Sequence, residues 1–173
     1  MFDLAIDNLS NFFDRGGFVL YIVFITAFAL WALLLERFLY IHFEYKKYRE
    51  KLFLEVKSLK VEQKFKESVK NYFTEETKVN LQKNLRFIKL LIIVCPLIGL
   101  LGTVTGMIEV FDVMAILGTS NAKSMASGVS MATIPTMAGM VVALSGILFE
   151  KRLDATINFQ VEKTYLDISK VLS

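Results

Sequence analysis

Three stretches of this chain, Gly17–Leu35, Leu90–Ile108 and Ser124–Phe149, contain no Asp, Glu, Lys or Arg. A hydrocarbon core of about 30 Å takes roughly 20 helical residues to cross, so each stretch is long enough to span a membrane. Between the first two, Leu52, Val56 and Leu59, then Phe65, Val69, Tyr72 and Phe73, then Leu81, Leu85 and Ile88 recur at helical spacing among charges. That pattern predicts amphipathic helices extending the spans inward. After Phe149 a spacing of four continues through Leu153, Ile157, Val161 and Tyr165. The residues past Phe149, 24 in number by 173 minus 149, extend a helix by roughly 36 Å. The expected fold is an all-α membrane protein with three transmembrane helices and long cytoplasmic helical extensions. Its parts are an N-terminal segment over 1–16, spans over 17–43, 90–116 and 124–149, a helical segment over 44–89, a short link over 117–123 and a C-terminal helix over 150–173.

Composition agrees with this reading: 54% of residues are apolar and mean hydropathy is +0.49. The opening MFDLAIDNLSNFFDRGG lacks the basic start and the small-residue cleavage site of a secretory signal, which predicts a retained anchor helix. Lys and Arg set orientation, because basic residues near membrane ends stay cytoplasmic. Thirteen of them fall between Glu44 and Lys89, and Lys151, Arg152, Lys163 and Lys170 follow the third span, whereas the short link holds only Lys123. The long loop and the C-terminus are expected in the cytoplasm, and the N-terminus and the short link on the outer side. The modest formal charge of +3 hides this asymmetry, which implies membrane topology and offers no case for nucleic acid. Cys95 is the single cysteine, read as a small buried apolar side chain, so no disulfide or cysteine metal site arises within the chain.

The spans differ in texture. The first, GFVLYIVFITAFALWALLL, is bulky nearly all round, as a lipid-facing helix is, and Trp31, Tyr40, His42 and Tyr45 mark its inner boundary as aromatic anchors. The second carries Gly99, Gly102, Gly106, Thr103 and Thr105; the third carries Gly128, Ala132, Thr133, Thr136, Gly139, Ala143 and Gly146. Small residues allow close helix approach in a membrane, so Gly99, Gly102, Gly106 and Gly139 are expected to pack against protein. Pro96 and Pro135 each remove a backbone bond and are expected to bend their helices.

No enzyme constellation is present. His42, the one histidine, stands beside boundary aromatics, and the glycines of GLLGTVTG have the wrong spacing and setting for a nucleotide fingerprint. No cofactor or metal is implied. The threonines carry the sharper possibility. A membrane threonine often bonds only the carbonyl one turn back. Yet Thr133 and Thr136 share a face near the middle of the third span, and Thr103 lies near the middle of the second, which suggests the lining of a narrow, partly wet pore. A proton path normally needs an ionisable group inside the membrane, and the uncharged cores supply none. Glu109 and Asp112 at the outer end of the second span read first as a solvated helix end and second as an outer mouth. Glu36, Arg37, Arg86, Lys89, Glu150, Lys151 and Arg152 fall at inner boundaries, where snorkelling accounts for most of them.

The motifs CPLIGLLGTVTGMIEVF, Cys95–Phe111, and GVSMATIPTMAGMVVALSGILFEKRLD, Gly128–Asp154, with LLLERFLY after the first span, resemble the ExbB/TolQ/MotA proton-channel family, most closely the short ExbB proteins of Ton systems. The likeness runs from about Phe18 to the C-terminus. It implies a homopentameric ring in the inner membrane of a Gram-negative bacterium, its second and third helices surrounding single-span ExbD helices whose intramembrane aspartate carries the proton. ExbB and ExbD would energise TonB for uptake of iron chelates or vitamins across the outer membrane. Carried over by position, Thr103 and Thr136 would face the pore. Where many relatives have a glutamate in the third span, this chain has Met131. A TolQ-like role in envelope maintenance differs mainly in partner, and three spans without a large cytoplasmic domain count against a MotA-type stator. A passive scaffold in the lipid membrane is the reading from another class; it predicts that Thr103 and Thr136 have no effect on proton flux.

Overall fold

The computed structural model describes residues 2–58, 63–117 and 122–172, and all but a two-residue turn at Lys83–Asn84 are helical. Helix α1, Phe2–Leu39, passes through a π-helical turn, Tyr40–Glu44, into α2, Tyr45–Ser58; a 3-10 turn, Gln63–Phe65, leads to α3, Lys66–Gln82; α4, Leu85–Leu117, and α5, Ala122–Leu172, follow. Three helical stretches, within Gly16–Glu44, Lys66–Ile116 and Met125–Val171, are long and apolar enough to cross a membrane. The predicted link over 117–123 lies at 118–121 outside the described residues, as does Leu59. Two compact units form: α1 up to Trp31 with Lys89–Ile147, and Ala32–Ile88 with the chain from Leu148 onward.

In the first unit the buried positions of α4 are Ile92, Cys95, Gly99, Gly102, Gly106 and Val110, and those of α5 are Ala132, Pro135, Gly139, Ala143 and Gly146. Intervals of three and four along α4 make this a coiled-coil-like seam. The helices run antiparallel, since Gly128 meets Val110, Gly106 meets Ala132, Gly102 meets Pro135, Gly139 meets Cys95 and Gly146 meets Ile92. From α1, Val19 reaches the Gly102 level and Leu30 the Gly146 level. So α1 is not uniformly lipid-facing: Val19, Leu20, Val23 and Leu30 form a buried stripe, while Phe18, Phe24, Ile25 and Phe28 stay exposed.

The N-terminal segment is helical from Phe2, and α1 breaks at Gly17, whose φ of 62° and ψ of −170° are not helical. Phe13 packs on Tyr21 at 5.1 Å and Phe24 at 5.4 Å between ring centroids. In a straight helix those residues would be separated by roughly 12 and 16 Å. The chain therefore turns sharply at Gly17, in a backbone region that L side chains avoid. Replacing Gly17 by valine is expected to cost about 1–3 kcal/mol and to release Phe13 from Tyr21 and Phe24, which a thermal melt in detergent and the environment of Phe13 would report.

In the second unit Leu52, Val56, Phe73 and Ile168 form the core, with Tyr48, Phe53 and Val69 packed against it. Phe65 and Tyr72 are exposed, so the inward face of α3 is Phe73, Thr77 and Leu81. On α5 the stripe continues through Glu150, Leu153, Ile157, Thr164 and Ile168, leaving Val161 and Tyr165 partly exposed. A constant step of four drifts off one face of a 3.6-residue helix, and the buried set recovers the face by stepping back one residue. Asn84 takes φ 65° at the α3–α4 turn, donates from Nδ2 to Glu36 Oε2 at 3.1 Å, and accepts at its carbonyl from Ile88 N at 3.1 Å. Asparagine tolerates this left-handed conformation better than most residues.

Two boundary residues expected to snorkel are buried: Arg37 is 2% exposed and Glu150 5%. Each falls on its helix's buried stripe, Leu30–Leu34–Arg37–Ile41 and Gly146–Glu150–Leu153. Arg37 lies 5.0 Å from the Tyr40 ring centroid, and its Nε has no hydrogen-bond partner. Tyr45 is an interior residue and not an interfacial anchor. Its hydroxyl bonds Thr164 Oγ1 at 2.6 Å, and Thr164 donates to Gln160 O at 2.9 Å. Burial pushes the Tyr45 phenol above its ordinary 10.0, outweighing the opposing Thr164 bond. The unfolded phenol ionises first, so the contribution is complete below about pH 10 and is lost as pH rises through the folded pKa. Tyr45→Phe is expected to reduce the alkaline loss of stability, measured as unfolding against pH.

Candidate functional site

The sequence-derived site falls within the first unit, along the flank of the α4–α5 seam. Thr136, half-buried on α5, donates from Oγ1 to the carbonyl of Gly99 on α4 at 2.7 Å. The contact exists because Gly99 has no side chain: a methyl there would come within 2.9 Å of both Pro135 O and Thr136 Cα. Thr103 lies one turn beyond Gly99 on the same face of α4 and donates to Leu100 O at 2.7 Å. Thr133, exposed and one turn from Thr136, donates to Ser130 O at 3.1 Å. Thr105 donates to Gly102 O at 3.1 Å.

The other glycines set the distance between the helices. A methyl on Gly106 would fall 2.7 Å from Ala132 Cα, and one on Gly139 would fall 2.6 Å from Cys95 O. Pro135 fills the space over Gly102, where an added methyl would meet its Cβ at 2.6 Å. Both α4 and α5 continue unbroken through Pro96 and Pro135. Met131 is half-buried, and Glu109 and Asp112 are exposed beside Val110, the last buried position of the seam. Among the described residues no group of three or more His, Cys, Asp or Glu is placed to hold a metal. The arrangement thus brings hydroxyls and close-packed backbone together in the uncharged stretches of α4 and α5, Leu90–Ile108 and Ser124–Phe149. The tie from Thr136 to Gly99 was not readable from spacing, because it depends on how the helices cross.

The profile described as the MotA/TolQ/ExbB proton channel family matches residues 35–165. The chain belongs to that family. As a family member it is a multi-pass membrane protein of a proton-channel class, and its three apolar helices fit this. Among individual relatives it is similar to "Putative biopolymer transport protein ExbB-like 1" of Synechocystis, 42% identical over 36% of this chain and 26% of that protein. "Putative biopolymer transport protein ExbB-like 3" of the same organism is 41% identical over 34% of this chain and 29% of that protein. "Biopolymer transport protein exbB1" of Vibrio cholerae is 32% identical over 47% and 36% respectively. The chain thus matches about a quarter to a third of the length of these curated relatives.

Proposed function

We propose that this chain is the ring-forming, ExbB-like subunit of a proton-driven motor in the bacterial inner membrane. In this reading five copies surround the membrane helices of a single-span ExbD-like partner, and the assembly energises a TonB-like protein for uptake of iron chelates or vitamins. The N-terminus is periplasmic and the C-terminus cytoplasmic, as the basic residues of 44–89 and 150–173 suggest. The observation that carries the reading is a contrast: a proton-channel family member offers hydroxyls at Thr103, Thr133 and Thr136 but no Asp, Glu, His, Lys or Arg within Gly17–Leu35, Leu90–Ile108 and Ser124–Phe149. A proton carrier must then come from another chain.

The available energy is adequate. A proton crossing about 150 mV releases roughly 3.5 kcal/mol at 2.3 kcal/mol per charge per 100 mV. That is comparable to burying one or two large apolar side chains, about 1.5–3 kcal/mol each, so it can bias the partner helix between two packings against the ring. Glu109 and Asp112 serve as an outer mouth that gathers protons, and Met131 leaves the relay to the partner. The test is gentle extraction from the native membrane followed by mass spectrometry of the intact complex. The expected result is five copies with a small single-span protein bearing a membrane carboxylate; a homo-oligomer without such a partner would favour the scaffold.

A further inference from the structure

Two helices of the second unit carry apolar stripes that their own chain leaves uncovered. On α3, Phe73, Thr77 and Leu81 are buried, while Phe65, Tyr72 and Val79, each more than half exposed, recur every seven residues on the side turned away. On α5, Leu153, Ile157, Thr164 and Ile168 are buried, while Phe159 and Leu166, again seven apart and more than half exposed, face outward. Seven residues return to nearly the same side of a helix, so each set forms a continuous stripe. Large apolar side chains held among charges at a surface mark a contact. The two stripes differ in charge. The groove over Tyr72 and Val79 is lined also by Glu75 and Glu76 and by no Lys or Arg. Lys78, which pairs with Glu75 at 3.5 Å, stands outside it. Along the α5 stripe, by contrast, Arg152, Lys163 and Lys170 are exposed, with Glu162 as the exposed acid beside them.

We propose that the outward face of α3 receives the outward face of α5 from a second copy of this chain, with Tyr72 against Leu166, Val79 against Phe159, and Glu75 and Glu76 toward Lys163. The two faces turn away from the core that α3 and α5 share, so they meet between chains and not within one. Because they are different surfaces, the contact is head-to-tail, the kind that closes into a ring. The inference rests on the ring proposed above and adds where neighbouring copies touch outside the apolar spans. Register supports the pairing. Val79 lies 11 residues before Leu90 and Phe159 lies 10 after Phe149; Tyr72 and Leu166 lie 18 and 17 from the same span ends, and Glu76 and Lys163 both lie 14. Copies in one membrane hold one level, so equal counts bring these residues face to face. Inside a single chain the same count gives 17 for Phe73 and 19 for Ile168, which share a core. The charges fix the register, and the apolar pairs supply the contact.

The test is disulfide crosslinking of the full chain in its native membrane, read on denaturing gels, since a disulfide forms only between closely apposed positions. Val79→Cys with Phe159→Cys in one chain is expected to give dimers and higher multiples on oxidation, as is Tyr72→Cys with Leu166→Cys. Each single variant, which retains the buried Cys95, is expected to stay monomeric on the gel. Glu75→Lys, added to either pair, is expected to lower the crosslinked fraction, and Lys163→Glu in the same chain to restore it. A crosslink confined to single chains would overturn the contact. So would an equal ladder from Leu54→Cys with Phe159→Cys, because Leu54 is exposed on α2, away from both stripes. No ladder from either pair, in a complex whose intact mass is still that of a ring, would overturn the contact and leave the ring standing. A monomeric mass would overturn the ring along with it.

Discussion

In the proposed motor, Thr103→Val combined with Thr136→Val is expected to reduce proton-driven uptake by roughly ten- to a hundredfold while the ring still assembles. Valine has nearly the shape of threonine, so packing along the seam is retained. What disappears is the hydroxyl chemistry, and about 1.4 kcal/mol of lost stabilisation for each of two contacts corresponds to a factor of about 10 each in rate. The bond from Thr136 to Gly99 O, 2.7 Å long, is also lost, at a cost of about 1 kcal/mol. That loss is small beside the close backbone contacts that hold α4 to α5. Uptake of a radiolabelled chelate and the mass of the extracted complex, measured on the same membranes, separate the two effects. Normal uptake by an intact ring would assign the threonines to packing alone.

Gly139→Ala is expected to destabilise the protein, although the same exchange in an ordinary helix interior stabilises by about 1 kcal/mol. The added methyl would lie 2.6 Å from Cys95 O, a backbone atom that cannot swing aside. Overpacking of this kind costs about 1–3 kcal/mol. In lipid, where packing replaces the hydrophobic effect as the force between helices, little else offsets it. Gly139→Val is expected to separate α4 from α5 and prevent assembly, read as loss of the oligomer on native gels and a lower melting temperature in detergent. A neutral or stabilising Gly139→Ala would show that the helices are not held at this distance.

These outcomes also mark how far the sequence could be read. The three spans follow from uninterrupted apolar runs, and the concentration of small residues in the second and third points to close helix contacts at Gly99, Gly102, Gly106 and Gly139. Local signals for other features were present but ambiguous. Gly16-Gly17 permits a reversal without requiring one, and the contact of Phe13 with Tyr21 and Phe24 reveals it. Arg37 and Glu150 stand beside other charges at span ends, where exposure is the usual outcome. Only the steps of three and four shared with Leu34, Ile41, Gly146 and Leu153 place them inside. The partner of Thr136 lies 37 positions away and depends on how two helices cross, which no local pattern encodes.

In the proposed motor this chain lines the pore and its partner carries the proton. Proton flux into liposomes under an imposed membrane potential tests it most directly, comparing the chain alone with the co-purified complex at equal protein. Flux is expected from the complex only, and reduced roughly ten- to a hundredfold when Thr103 and Thr136 are both valine. Equal flux from the chain alone would contradict it.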